Sequence, residues 1–147
     1  MLLLSLFVFV ASAAEPPRFD DKIRAELRDT AKFHALTKAS DLPEAVRKVC
    51  GPGTGAMADP GGKWEPTDDI ADPTLPAKRL IWAATDGRLY VVHYETGGYA
   101  HLFHVAIIRT EAPQTAWIWQ SVQPKGMPTL LETIAGKADG HSRHACL

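Results

Sequence analysis

The chain has 147 residues, 46% of them hydrophobic and 22% charged. That balance belongs to a folded globular chain and argues against disorder. Sixteen basic residues against seventeen acidic ones leave a formal net charge of −1. No field exists to draw in nucleic acid, and none is expected as a partner.

Leu2 to Val10 is almost unbroken Leu, Phe and Val, and Ala11-Ser12-Ala13-Ala14 follows. This is the apolar core and small-residue cleavage site of a secretory signal peptide, cut after Ala13 or Ala14. No Lys or Arg precedes the run, which departs from the usual basic start. A membrane anchor is the rival reading, but the run is about ten residues and a spanning helix needs about twenty. No Cys follows to carry a lipid. The sequence therefore divides into a signal peptide, residues 1–14, and one domain, residues 15–147, exported to the periplasm or secreted. The mature chain has no stretch long enough to span a membrane.

In an oxidising compartment the two cysteines, Cys50 and Cys146, are expected to form a disulfide. It would close a loop of about a hundred residues, worth up to about 4–5 kcal/mol in the chain-entropy model. A metal site or a catalytic thiol is the alternative.

Asp20 reads as a helix N-cap, with Ile23, Leu27 and Ala31 on one side of a helix ending near Lys32. Phe33 to Thr37 is ambiguous and suits a short strand. A second helix begins near Leu42, capped by Ser40 or Asp41, with Pro43 in its first turn. Ala45, Val46 and Val49 line one side, and Gly51-Pro52 ends it. Gly51 to Ala77 holds five Gly and five Pro, a long turn-rich loop with Trp64 and Ile70 as expected buried pegs.

Four strands follow, Arg79 to Ala84, Arg88 to Thr96, Tyr99 to Arg109 and Thr115 to Val122, rich in Val, Ile, Tyr, Phe and Trp. Asp86-Gly87 and Gly97-Gly98 read as two-residue turns and Ala112-Pro113-Gln114 as the third. Gly126-Met127-Pro128 opens a last helix carrying Leu130, Leu131, Ile134, Ala135 and Ala138. The expected fold is α+β: a four-stranded antiparallel meander with two N-terminal helices and one C-terminal helix packed on one face.

A two-residue turn at Gly97-Gly98 aligns Tyr94 with His101. It places His93, Glu95 and His104 on one face, and Tyr90, Val92, Tyr94 and His101 on the other, helix-covered face. Two His and a carboxylate suit a zinc or iron site, or acid–base chemistry. The plainer reading of these histidines is hydrogen-bonded rim residues. His101, beside Tyr94, reads as a satisfied half-buried histidine, with ligand sensing as its alternative. His141 and His144 have the i, i+3 spacing of a helical metal pair, but Gly140 ends the helix and a solvated tail is expected.

Gly51-Pro52-Gly53-Thr54-Gly55 lacks the Gly-Lys-Ser/Thr ending of a phosphate loop. Glu65, Asp68, Asp69 and Asp72 do not match calcium-loop spacing, and turn and cap duty is expected of the three aspartates. No Gly-x-Ser-x-Gly, His-Glu-x-x-His or Cys-x-x-Cys motif is present. Trp117 and Trp119 share a face of the fourth strand, either as core or, with Trp64, as a binding platform.

These readings predict a small exported binding, inhibitor or accessory protein with no cofactor, its partner a protein or an envelope component. The first rival is a small metal-dependent or acid–base enzyme using His93, Glu95 and His104. The second is a structural subunit whose fourth strand pairs with a partner.

Overall fold

The computed structural model describes residues 18–51, 55–135, 137 and 141–144. The segment read as a signal peptide, the Pro52-Gly53-Thr54 part of the Gly-rich stretch, Ala138 and Cys146 lie outside the described residues, as do the side chains of His141 and His144.

The first helix, α1 (Asp21–Arg28), starts where expected, because the Asp20 carboxylate accepts from the Ile23 amide at 3.0 Å. This satisfies one of the amides that a helix start leaves unpaired. Ile23 and Leu27, one turn apart, are its buried residues. It ends at Arg28, and a separate 3-10 turn follows at Thr30–Lys32. The short strand β1 (His34–Leu36) comes next, then α2 (Glu44–Val49), with Pro43 as its N-cap. Asp41 caps an earlier 3-10 turn, Ala39–Asp41, by accepting from the Lys38 amide at 3.0 Å.

The four expected strands are present as β2 (Lys78–Thr85), β3 (Leu89–Thr96), β4 (Leu102–Arg109) and β5 (Thr115–Gln120). The helix α3 (Met127–Ile134) follows, and then the strand β6 (His141–His144). The α+β class holds, but the antiparallel sheet has six strands, in the order β1-β2-β3-β4-β5-β6. The added strands are the two edges. The tail expected to be solvated pairs its backbone with β5, Thr115 opposite His144 and Ile118 opposite His141. That pairing occupies the outer edge of the fourth expected strand, the edge offered for a partner.

Both faces of the sheet are covered, where helices were expected on one. Leu89, Val91, Val105, Ile107, Trp117 and Trp119 pack against Phe19, Ile23 and Leu27 of the α1 region and Leu130 and Ile134 of α3. Leu80, Ala83, Val92, Tyr94, Ala106 and Ile108 pack on the other side against Leu42, Val46 and Cys50 of the α2 region. A sheet with two apolar faces needs a layer on each.

The register between β3 and β4 departs from expectation in the way that matters most. Tyr94 pairs with His104 and Glu95 with Phe103. The connection is Gly97 to His101, five residues rather than two. Its first two amides do not close a hairpin. Gly97 donates to the Ala77 carbonyl at 3.0 Å and Gly98 to the Pro66 carbonyl at 3.2 Å. The Gly/Pro loop crosses so close that a β-carbon on Gly97 would collide with the Glu65 carbonyl oxygen and the Pro66 backbone. Gly98 has φ +120°, so these two glycines serve different needs.

Candidate functional site

A register change by an odd number moves every side chain of a strand to the other face. His93 and Glu95 therefore lie on the face covered by α1 and α3, while His104 lies with Tyr94 on the α2 face. The expected His93, Glu95 and His104 group does not assemble. His104 is buried, its Nε2 is 2.9 Å from the Thr96 hydroxyl, and its ring stacks on Tyr94 at 4.9 Å. Burial lowers its pKa from the usual value. It is a satisfied core histidine.

Glu95 instead gathers residues that the sequence kept apart. It is 3% exposed. Its Oε1 accepts from Arg79 Nε at 2.6 Å, and its Oε2 lies 2.5 Å from His101 Nε2. Arg79 sits opposite Glu95 in the β2–β3 ladder. The pairing shifts between Leu80 and Trp82, so that Trp82 sits opposite His93. This irregularity at Ile81 is a β-bulge. In a regular strand Arg79 and Trp82, three apart, would face opposite ways, and the bulge brings both to the Glu95 face.

Trp64, from the Gly/Pro loop, completes the group. The Arg79 guanidinium carbon lies 5.2 Å from the Trp64 ring centroid, a cation–π distance. The His101 ring is 5.4 Å from Trp64 and 4.8 Å from Phe103. The ring contacts continue from Phe103 to His93 at 6.4 Å and from His93 to Trp82 at 5.7 Å. A strip of rings thus runs from Trp64 to Trp82. Trp82 Nε1 donates to the Pro124 carbonyl at 3.0 Å, tying the far end to the segment before α3. Beside Arg79 and Glu95 lies a cavity of about 160 Å³, whose other lining residues are Pro60, Gly61, Leu80 and Ile81.

His93 is the anomaly in this strip. It is 4% exposed, and neither ring nitrogen has a well-formed hydrogen bond, the backbone of Val122 being only in weak reach. Burial pushes its pKa down to about 4, against the upward pull of Glu95. A buried polar ring without a partner costs stability, and such sites concentrate where function overrides packing.

The remaining expected site residues fall elsewhere. Trp117 and Trp119 are 1% and 4% exposed, with Phe19 edge-on to both. They are core and not a platform. Ile70, expected as a buried peg, is 63% exposed. Glu65, grouped with three turn aspartates, is the buried member of that run. It accepts from the Ala71 and Asp72 amides at 3.2 and 3.3 Å and so gathers the loop that carries Trp64. Asp72 has turn duty as expected, accepting from the Thr74 amide and hydroxyl. Among the described residues no three of His, Cys, Asp or Glu are grouped to hold a metal.

Cys50 is a buried thiol with no disulfide partner among the described residues, and Cys146, its expected partner, lies outside them. Burial pushes the thiol up to about 12, with Lys78 pulling it down. Lys78 is itself buried, with its Nζ 3.5 Å from the Gly51 carbonyl, and burial lowers its pKa. Cys50 lies at the Lys78 end of the sheet. His144 pairs with Thr115, which pairs with Arg109 and so marks the opposite end.

Arg79 is the residue that sequence reasoning missed. Its signal is faint: a charge at the head of an apolar strand, followed by a bulge that no local pattern announces. Among the described residues no helix is long and apolar enough to cross a membrane. No family model, curated protein or solved structure matches the chain.

Proposed function

We propose that the chain is a small exported binding protein whose ligand seats on the ring strip between Trp64 and Trp82. The observation that carries this reading is the Arg79–Glu95–His101 group, a buried carboxylate held between a guanidinium and an imidazole beside a cavity. Replacing such a buried charged pair with well-packed apolar residues is often neutral or stabilising. Its placement under partly exposed rings points to recognition. Pockets lined by aromatic and apolar groups with a few fixed polar ones are the usual form of small-ligand sites. Export rests on the apolar run and alanine cluster at the N-terminus. N-terminal sequencing of protein from an exporting host is expected to start at Ala14 or Glu15, and an intact Met1 on a membrane-bound product contradicts it.

The test of the site is an NMR fragment screen on the mature chain, read at the indole N–H signals. Saturable shifts at Trp64 and Trp82, with Trp117 and Trp119 unmoved, support the reading. Shifts confined to other regions, or none, overturn it.

One observation favours an acid–base enzyme as the second reading. The 2.5 Å contact directs His101 Nε2 at Glu95, leaving Nδ1 to exchange a proton with a bound molecule. This replaces the expected His93, Glu95 and His104 set with a different pair. Turnover abolished by both His101→Ala and Glu95→Gln would favour it.

A further inference from the structure

We infer that the ligand is a neutral, hydroxyl-rich ring, a pyranose sugar, with its edge on Arg79 and Glu95 and its C–H face against aromatic carbon. This rests on the proposed site and names its ligand chemistry.

Arg79 and Glu95 neutralise each other across 2.6 Å. A site for an anion keeps an unpaired cation, and here an incoming carboxylate or phosphate would meet the Glu95 carboxylate. A site for a cation keeps an unpaired anion, and here an ammonium group would meet the guanidinium. What remains after pairing is hydrogen-bonding capacity in both senses. Arg79 uses Nε on Glu95 and Nη1 weakly on the Gly62 carbonyl at 3.5 Å, and Nη2 has no partner among the described residues. A carboxylate offers about four acceptor positions, and Arg79, at Oε1, and His101, at Oε2, use one each. Fixed donors beside fixed acceptors match groups that do both at once, and the hydroxyl is that group.

Shape points the same way. The cavity of about 160 Å³ has an apolar wall of Pro60 and Ile81 beside the charged pair. It has room for one sugar ring and not for a chain. Trp64, held by Arg79 on one side and His101 on another, presents a fixed aromatic body next to the guanidinium that lines the cavity. A pyranose carries hydroxyls around its edge and C–H groups on its faces, so it offers polar and apolar surfaces in the directions this site requires.

The test is a titration followed by ¹H–¹⁵N spectra of the mature wild-type chain. The probes are methyl glucopyranoside and methyl galactopyranoside, with sodium acetate, tetramethylammonium and adenosine as the other chemistries. At least one glycoside is expected to shift the Trp64 indole and the Glu95 and Arg79 amides saturably. Glu95→Gln and Trp64→Ala are each expected to weaken it about tenfold or more. Two variants are used because either alone could disturb the fold, and unchanged Trp117 and Trp119 signals report that the core is intact. A tetrasaccharide of the binding sugar that binds more tightly assigns the ligand to a glycan end, and equal binding assigns it to the free sugar. Shifts from acetate, tetramethylammonium or adenosine with none from the glycosides overturn the sugar assignment and leave the binding site standing. No shift from any probe, together with an empty fragment screen, removes both.

Discussion

Replacing His93 with Phe is expected to change how stability depends on pH. The ring is 4% exposed, lies 5.7 Å from Trp82 and 6.4 Å from Phe103, and has no well-formed hydrogen bond. Burial lowers its pKa from 6.5 to about 4. The unfolded chain takes up a proton near pH 6.5, whereas the folded chain does so only near pH 4. Stability is therefore lost as pH falls through this window and levels off below it. The full displacement corresponds to about 3 kcal/mol, a large part of the roughly 5–15 kcal/mol that holds a typical domain together. His93→Phe keeps a ring of similar shape and removes the titration. Urea unfolding from pH 7.5 to 4 should show the variant gaining about 2–3 kcal/mol on the wild type across that range. His104 is also buried with a lowered pKa, but it is common to both proteins and cancels in the difference. Parallel stability curves would refute the reasoning, because they would mean that His93 is partnered or solvated in the folded chain.

Gly97→Ala should destabilise the domain by about 1–3 kcal/mol in urea unfolding, because the new methyl meets the Glu65 and Pro66 backbone; a neutral effect would mean that the loop does not cross there. Trp117→Ala should cost about 3–5 kcal/mol, since the side chain is 1% exposed, whereas Trp64→Ala should cost far less and act on binding. Cys50, with its thiol pushed up to about 12, should resist alkylation at pH 8 in the native protein and react in denaturant; a Cys50 blocked in denaturant until reduced would contradict the free thiol.

The meander was legible because its strands are dense in β-branched and aromatic residues, and the α1 start because Asp20 is a local cap. Both signals act within a few residues. The faces of β4 were not legible, because they depend on the parity of one loop. A Gly-Gly pair is the usual sign of a tight turn, but here the Gly97 and Gly98 amides bond to Ala77 and Pro66. Those partners lie far back in the chain, so no local reading could supply them. The same holds for the site. Glu95 and His101 were both singled out but assigned to opposite faces, and Arg79 reaches Glu95 only through strand pairing and the bulge at Ile81. β1 and β6 were missed as firm strands because they are short edge strands, defined by their partners more than by their own composition.

The central claim is that Glu95 organises the site by holding His101 on one oxygen and Arg79 on the other. Long-range ¹H–¹⁵N spectra of the histidine rings at pH 7.5 test it most directly. The account predicts a fixed His101 ring, with Nε2 as the hydrogen-bonded nitrogen and Nδ1 open, and loss of that signature in Glu95→Gln while His104 keeps its own. A His101 ring that averages between tautomers as in free imidazole, unchanged by Glu95→Gln, would contradict it.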